Sequence, residues 1–497
     1  MLTVLVLTAP SAAQTPAAIR VSEKHDTVPS LANFTKLADF GNGNGQYPNA
    51  PLAQGTDGNF YGTTLRGPYP SNGFAFKMTP AGKFSAFDYA CTTNDCTGSQ
   101  PYAGLVLASD GTFYGSTLEG GNGAYRSNRY PGGTLFKLSP ENGLTTIYNF
   151  CSEVACDDGY EPFTPLTQGS DGNLYGVTPD GGVNGLGTVF EVTTTGELTT
   201  LHDFASTEGT YPDGGVIQAG DGNFYGTTAY GGANCSGSGC GTIFQLTPEG
   251  TLNTLYSFCQ QTNCADGYYP AGGLIQGTDG NLYGVTRQGG ISSAENPGGY
   301  GTVFKVTTAG VFASLYSFCV LTNCADGEEP TGILQATDGN FYGATPYGGA
   351  SPFGTLFKLT PAGALTTLHN FCTKGGQHCT DGEYPGPLVQ ATDGNFYGVA
   401  YQGGQSSHGT AYKVSVGLSA FVETVTASGA VGSSVIILGT NLTGASKVTF
   451  NGTATAFTLV SSTDITATVP TGATTGPIVV TTPKGTFKSN KNFLITQ

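Results

Sequence analysis

Four aspartates, Asp158, Asp266, Asp326 and Asp381, each stand two residues after the second cysteine of a close pair and open an Asp-Gly-x-x-Pro segment. Hard carboxylate oxygens in an acidic chain are the ligands calcium takes, and Asp266, Asp326 and Asp381 are the candidates for such a site. No full ligand set of the EF-hand kind accompanies them, so an aspartate that bonds the backbone of its own turn is the preferred reading. The 12 cysteines form six close pairs with none left over: Cys91/Cys96, Cys151/Cys156, Cys235/Cys240, Cys259/Cys264, Cys319/Cys324 and Cys372/Cys379. Zinc sites use two-residue spacings and two clustered pairs, whereas these pairs are scattered along the chain. Local disulfides are therefore expected, and with them an oxidising compartment. Each would close a short loop, worth about 2 kcal/mol in the chain-entropy description.

Acid–base catalysis on sugars needs carboxylates that converge on one face. Most carboxylates here recur instead at one position of a repeated turn: Asp57, Asp110, Asp171, Asp221, Asp279, Asp338 and Asp393. An Asp-Gly turn bonded by its own aspartate accounts for that periodicity. Glu119, Asp180, Arg287 and Glu295 stand outside the pattern in loops, with no partner visible in the sequence. His25, His202, His369, His378 and His408 lack a Gly-x-Ser-x-Gly setting, and His202 and His369 take the tyrosine position of a Leu-Tyr-Ser-Phe strand. Gln54, Gln168, Gln218, Gln276, Gln335 and Gln390 recur three residues before the turn aspartate, with Leu107 in their place once. A hydrogen-bonded inner ring is expected of them, since buried amides need partners. No catalytic residue and no cofactor, calcium aside, is expected, and the chain reads as a non-enzyme.

A net charge of −16 with only 18 basic residues disfavours nucleic acid and anionic membrane, which both need Lys or Arg against phosphate. No apolar run is long enough for a spanning helix. Residues 1–13 read as a signal peptide, with Val4-Leu5-Val6-Leu7 before the small Ser11-Ala12-Ala13. Residues 14–32 would then form an N-terminal tail, whose Ala17-Ala18-Ile19-Arg20-Val21 could add to a neighbour's sheet edge.

These groups need a framework, and the sequence repeats one. The string Asp-Gly-Asn-Phe/Leu-Tyr-Gly puts its tyrosine at Tyr61, Tyr114, Tyr175, Tyr225, Tyr283, Tyr342 and Tyr397, 50 to 61 residues apart. In the fifth copy Gly273-Leu274-Ile275-Gln276, Leu282-Tyr283-Gly284, Gly301 to Val306 and Leu315 to Phe318 alternate with Gly, Asp and Asn turn signals. Four short strands per copy is the pattern of a propeller blade, and the 78 glycines suit its tight turns. The seventh copy stops after Gly409 to Val414, while Phe34 to Phe40 precedes the first and matches the strand it lacks. An all-β, seven-bladed propeller over residues 33–416, closed by its N-terminal strand, is the expected fold; closure removes an exposed edge.

The unit resembles the GloVer repeat of the choice-of-anchor tandem-repeat proteins, a bacterial extracellular group with the same Asp-Gly-Asn-Leu-Tyr-Gly, Gly-Gly and Gly-Thr-Val-Phe-Lys-Leu elements. The resemblance implies export and life at the cell surface, and brings no established activity. The second copy departs from it at Thr112, and the first carries Gly73-Phe74-Ala75-Phe76 for Gly-Thr-Val-Phe. From Leu418 the composition turns to Ser, Thr, Val and Ala, and residues 417–497 read as an immunoglobulin-like β-sandwich. Its segments are Ser434 to Leu438, Lys447 to Phe450, Ile465 to Val469, Ile478 to Thr481 and Phe493 to Ile495. Asn441-Leu442, Val448 to Gly452, Val469-Pro470 and Gly476-Pro477-Ile478 make it similar to IPT/TIG domains, which implies a spacer or interaction module.

Together these observations predict a secreted, cell-surface scaffold or adhesin without catalysis. Its partners would be copies of itself, assembled through the tail or terminal domain, or surface and matrix components. The competing expectation is a propeller that binds or acts on polysaccharide. It requires non-repeated carboxylates and tyrosines gathered on one rim, which the scaffold does not. The absence of Trp leaves such a site to tyrosine.

Overall fold

The computed structural model describes residues 32–496, apart from 42, 68–72, 89–90, 93–94, 97, 122–131, 140–142, 236–238, 293–295, 297 and 374–378. The expected signal peptide and nearly all of the expected tail, with His25, Glu295 and His378, lie outside the described residues. Seven antiparallel blade sheets follow one another, five of four strands and two, the first and seventh blades, of five because the innermost strand is split in two, and the described residues contain no α-helix. In the fourth blade Val216–Gln218, Phe224–Thr228, Thr242–Leu246 and Leu252–Ser257 pair in chain order from the axis outwards. Asn33–Asp39 pairs antiparallel with Thr410–Ser415, Asn33 opposite Ser415 and Asp39 opposite Thr410, so the first strand completes the seventh blade. Phe34 seals that seam by stacking on His369 at 3.8 Å and on Tyr412 at 5.3 Å.

The repeated residues explain why each blade forms and how blades meet. The glycine after each repeat tyrosine lies under an aromatic ring of the third strand, Phe in six blades and Tyr412 in the seventh. A Cβ on Gly226 or Gly284 would come within 2.5 or 2.6 Å of Phe244 or Phe304. The tyrosine fills the space between blades: Tyr61, Tyr175, Tyr283 and Tyr342 pack on Phe113, Phe224, Phe341 and Phe396 of the next blade at 4.1 to 4.4 Å. Its buried hydroxyl then needs an acceptor. In all seven blades that acceptor is the turn aspartate four residues earlier, as in Tyr225 to Asp221 at 2.6 Å.

The glutamines sit where the sequence suggested and stitch one blade to the next. Each carbonyl accepts an N–H from the turn of a neighbouring blade, from Ser109 to Gln168 through Thr337 to Gln390, and Thr392 to Gln54 joins the seventh blade to the first, six of the seven junctions in all. Blade 2 has Leu107 instead because an apolar neighbour covers it: Leu107 lies in one cluster with Leu105, Phe113 and Leu438 of the C-terminal domain.

That domain is a sandwich around Val435, Ile437, Val448, Phe450, Ile465, Ile478, Val480 and Phe493. Five strands match the expected segments, the last much longer at Gly485–Thr496; Val422–Thr424, Ser428–Ala430, Thr453–Thr455 and Phe457–Leu459 are additional. The domain rests on the face that carries the Asp-Gly turns. Thr463 donates to the Thr56 carbonyl at 2.7 Å, Thr440 bonds Thr392 at 2.9 Å, and Asn490 donates to the Gln335 carbonyl at 3.0 Å. One face of the propeller is thus occupied. The opposite face is built from the Gly-Gly loops and the connections between blades.

Candidate binding rim on the open face

The disulfide loops and their aspartates frame this face. Cys151–Cys156, Cys235–Cys240, Cys259–Cys264, Cys319–Cys324 and Cys372–Cys379 are bonded as expected. Cys91 faces Cys96 in a short ladder, and the side chains of that pair lie outside the described residues. Asp266, fully buried, accepts from the Tyr256 hydroxyl at 2.7 Å and the Gln260 and Gln261 amides at 2.9 and 3.2 Å. Asp326 repeats this with Tyr316, Val320 and Leu321, and Asp158 with Tyr148, Ser152 and Glu153. Asp381 accepts from Cys372 N–H at 3.1 Å and meets His369 Nε2 at 3.0 Å. Asp266, Asp326 and Asp381 stand on three different connections, and the structure does not bring them together. Each carboxylate meets hydrogen-bond donors, but the backbone donors belong to the cysteine loop before it and not, as the sequence suggested, to the turn it opens. The connection after blade 3 has no cysteines, and there Glu208 serves the same purpose, bonding His202 at 3.0 Å and the Ala205 N–H.

Inside this frame runs a ring that the sequence did not reveal. The residue before each blade's proline is Tyr47, Gln100, Glu161, Tyr211, Tyr269, Glu329 or Tyr384, and all seven have a left-handed backbone, φ between 52 and 60°. The kink lets the N–H reach back to the preceding blade: Tyr211 to the Leu186 carbonyl at 3.2 Å, Tyr269 to Cys240 at 3.1 Å, Glu329 to Tyr300 at 2.9 Å. Glycine adopts that backbone without steric cost. Here every position carries a long polar or aromatic side chain, part-exposed on the open face.

A second set of residues, at the ends of the second strands, meets the ring. Tyr211, Tyr230 and Tyr269 pack in sequence at 5.9 and 5.2 Å, Tyr347 on Tyr384 at 5.5 Å, and Tyr401 on Tyr47 at 5.3 Å. The guanidinium of Arg287 lies 5.6 Å over the Tyr269 ring, and that of Arg66 lies 5.9 Å over Tyr47. Ala229, Tyr230, Gly239, Tyr268, Tyr269, Arg287, Gln288 and Glu329 line an open pocket of about 510 Å³. Asp213 faces the same guanidinium; burial pushes its carboxyl up to about 6 against the pull of Arg287. Glu329 is likewise raised by burial and held back by Arg287. On the adjoining rim, burial raises Glu161, and the charges of Asp180 and Glu119 raise it further. Burial also raises Asp180 and Glu119.

Three of the four unpaired singletons in the sequence therefore have partners. Glu119 and Asp180 meet at Glu161, and Arg287 sits among Tyr269, Asp213 and Glu329. Their partners were hidden because Glu161, Tyr269 and Glu329 occupy a repeated turn position, and Asp213 stands 74 residues before Arg287 in the sequence. The usable signal was the change of residue type at one fixed repeat position.

A disulfide-tied propeller with a sandwich domain on one face and a polar aromatic rim on the other suits a surface or interaction protein. The chain belongs to the Gloeobacter/Verrucomicrobia repeat family, whose profile matches residues 27–168, 86–296 and 290–456. An IPT/TIG domain profile matches residues 420–495. No curated protein sequence matches the chain. Among solved structures, it is similar to a gluconolactonase from Xanthomonas campestris, with 12% identity, 62% of this chain and 84% of that one covered, and a TM-score of 0.36. For an auxiliary nutrient binding protein from Bacteroides ovatus the values are 11%, 77%, 76% and 0.41, and for puromycin hydrolase 13%, 88%, 57% and 0.42. Similarity at this level says nothing of activity.

Proposed function

We propose that the protein is a non-catalytic extracellular adhesin that holds a neutral polysaccharide on its open rim. The observation that carries this reading is the ring of seven left-handed residues, where glycine would be the undemanding choice and Tyr, Glu or Gln is found instead. Tyrosine faces suit the apolar faces of sugar rings, and the carboxyl, guanidinium and amide groups between them suit hydroxyls. The net charge of −16 and the grouped carboxyls on the rim work against an anionic chain. The five disulfides among the described residues fit an oxidising exterior.

Binding without catalysis is favoured by the direction of the shifts. A glycosidase sets its two carboxyls apart, one acid and one base. Glu119, Glu161 and Asp180 are all raised, and burial is the first cause in each. The test is calorimetric titration of the full chain with a soluble glucan, a soluble mannan and a polyuronate. Saturable binding of a neutral polymer, weakened at least about tenfold by Tyr230→Ala/Tyr269→Ala, is expected, the size of a lost aromatic anchor. No saturable neutral binding, preference for the polyuronate, or a variant that binds like the parent overturns the proposal. New reducing ends on prolonged incubation would overturn its non-catalytic part.

A further inference from the structure

The sequence argues against metal because its cysteine pairs are scattered, yet the fold gathers two of them. The sulfurs of Cys235, Cys240, Cys259 and Cys264 all lie within 4.8 Å of one another. Five of the six pairs, Cys259/Cys264 among them, stand on connections between blades, where the repeat places them. Cys235/Cys240 alone occupies a loop between second and third strands, in blade 4, and it lands against the repeat pair that follows. Tethering that loop needs only its own bridge. The bridge's placement beside a second one makes a four-sulfur group that the repeat does not account for.

We propose that these four cysteines form a centre with two states: two disulfides when oxidised, and a tetrahedral zinc–thiolate site when both are reduced. A tetrahedral zinc with bonds near 2.3 Å sets its sulfurs about 3.8 Å apart, so after reduction the two sulfurs of each former bridge must part by about 2 Å while those of different bridges close by about 1 Å at most. Cys235 is exposed and Cys240 buried, which gives a reducing thiolate access to the outer sulfur. Each disulfide takes two electrons and two protons from a dithiol reductant, which becomes a disulfide itself. The four thiols then lose four protons to bind one Zn²⁺. The centre adjoins the rim, since Gly239 lines the pocket and the Cys240 carbonyl accepts the Tyr269 N–H. The metal state would therefore fix the pocket wall that reduction alone leaves untethered.

The experiment reduces the full chain anaerobically with a dithiol, removes the reductant and adds Co²⁺ and then Zn²⁺, with circular dichroism recorded alongside. Expected are one tightly held metal per chain, visible absorption of tetrahedral cobalt thiolate that zinc displaces, and an intact β-sheet signal. The variant Cys235→Ser/Cys240→Ser should hold none, while Cys319→Ser/Cys324→Ser, which removes a lone bridge, should bind like the parent. No retained metal, metal retained equally by the first variant, or loss of the β-sheet signal on reduction would each overturn the proposal.

Discussion

Replacing Asp266 by alanine separates the two roles open to the Asp-Gly-x-x-Pro aspartates. The carboxylate is fully buried and accepts the Tyr256 hydroxyl at 2.7 Å and the amides of Gln260 and Gln261 at 2.9 and 3.2 Å. The tyrosine is part-exposed, and its hydroxyl can turn to water once the acceptor is gone. The two amides lose a charged acceptor inside a loop closed by Cys259–Cys264. At about 1–3 kcal/mol for each of the two donors left without a partner, Asp266→Ala should destabilise this connection by about 2–6 kcal/mol. Asp326→Ala should cost the same within error, because Tyr316, Val320 and Leu321 repeat the geometry at 2.7, 3.1 and 3.2 Å. Amide hydrogen exchange at Gln260 and Gln261 reads the local loss, and thermal unfolding reads its global share. A loss below about 1 kcal/mol refutes the reasoning. So does a chelator that reproduces the loss in the parent, which would make calcium the partner.

Acidity reports on the rim. Burial raises Asp213 from 3.8 to about 6, so the folded state binds its proton more tightly than the unfolded chain does. The stability it contributes is complete below pH 4 and is lost as the pH rises through 6, by up to about 3 kcal/mol; Asp213→Asn should remove that share of the slope in denaturant titrations and leave the share of Glu119, Glu161, Asp180 and Glu329. The glutamine ring predicts a contrast between substitutions. Gln276→Leu removes the acceptor of Gly220 N–H and the donor to the Gly280 carbonyl, both near solvent, and should lower stability by about 1 kcal/mol in thermal unfolding. Leu107→Gln places an amide against Leu438 and should cost about 1–3 kcal/mol. It should also make the linker after Ser415 more sensitive to limited proteolysis, a change that Gln276→Leu should not cause.

The seven blades were legible because each copy must satisfy the same local demands. Tyr-Gly followed by a third-strand Phe is a steric requirement, since a Cβ at Gly226 would stand 2.5 Å from Phe244. Asp-Gly-Asn is a turn that also supplies the tyrosine's acceptor. Both constraints act within one blade, so periodicity displays them, and Phe34 to Phe40 announced ring closure because its pattern matched a missing strand. What only the tertiary structure decided concerns residues from different blades. Arg287 is separated from Asp213 by 74 positions, and Glu161 meets Glu119 from another blade, encounters that no spacing rule encodes. The same holds for Cys235/Cys240 beside Cys259/Cys264, and for Leu107, whose departure from glutamine makes sense only beneath Leu438 of the terminal domain. Repetition specifies the frame through short-range sterics and hydrogen bonds. Closing the ring then juxtaposes the positions the repeat leaves free, and there the candidate chemistry resides.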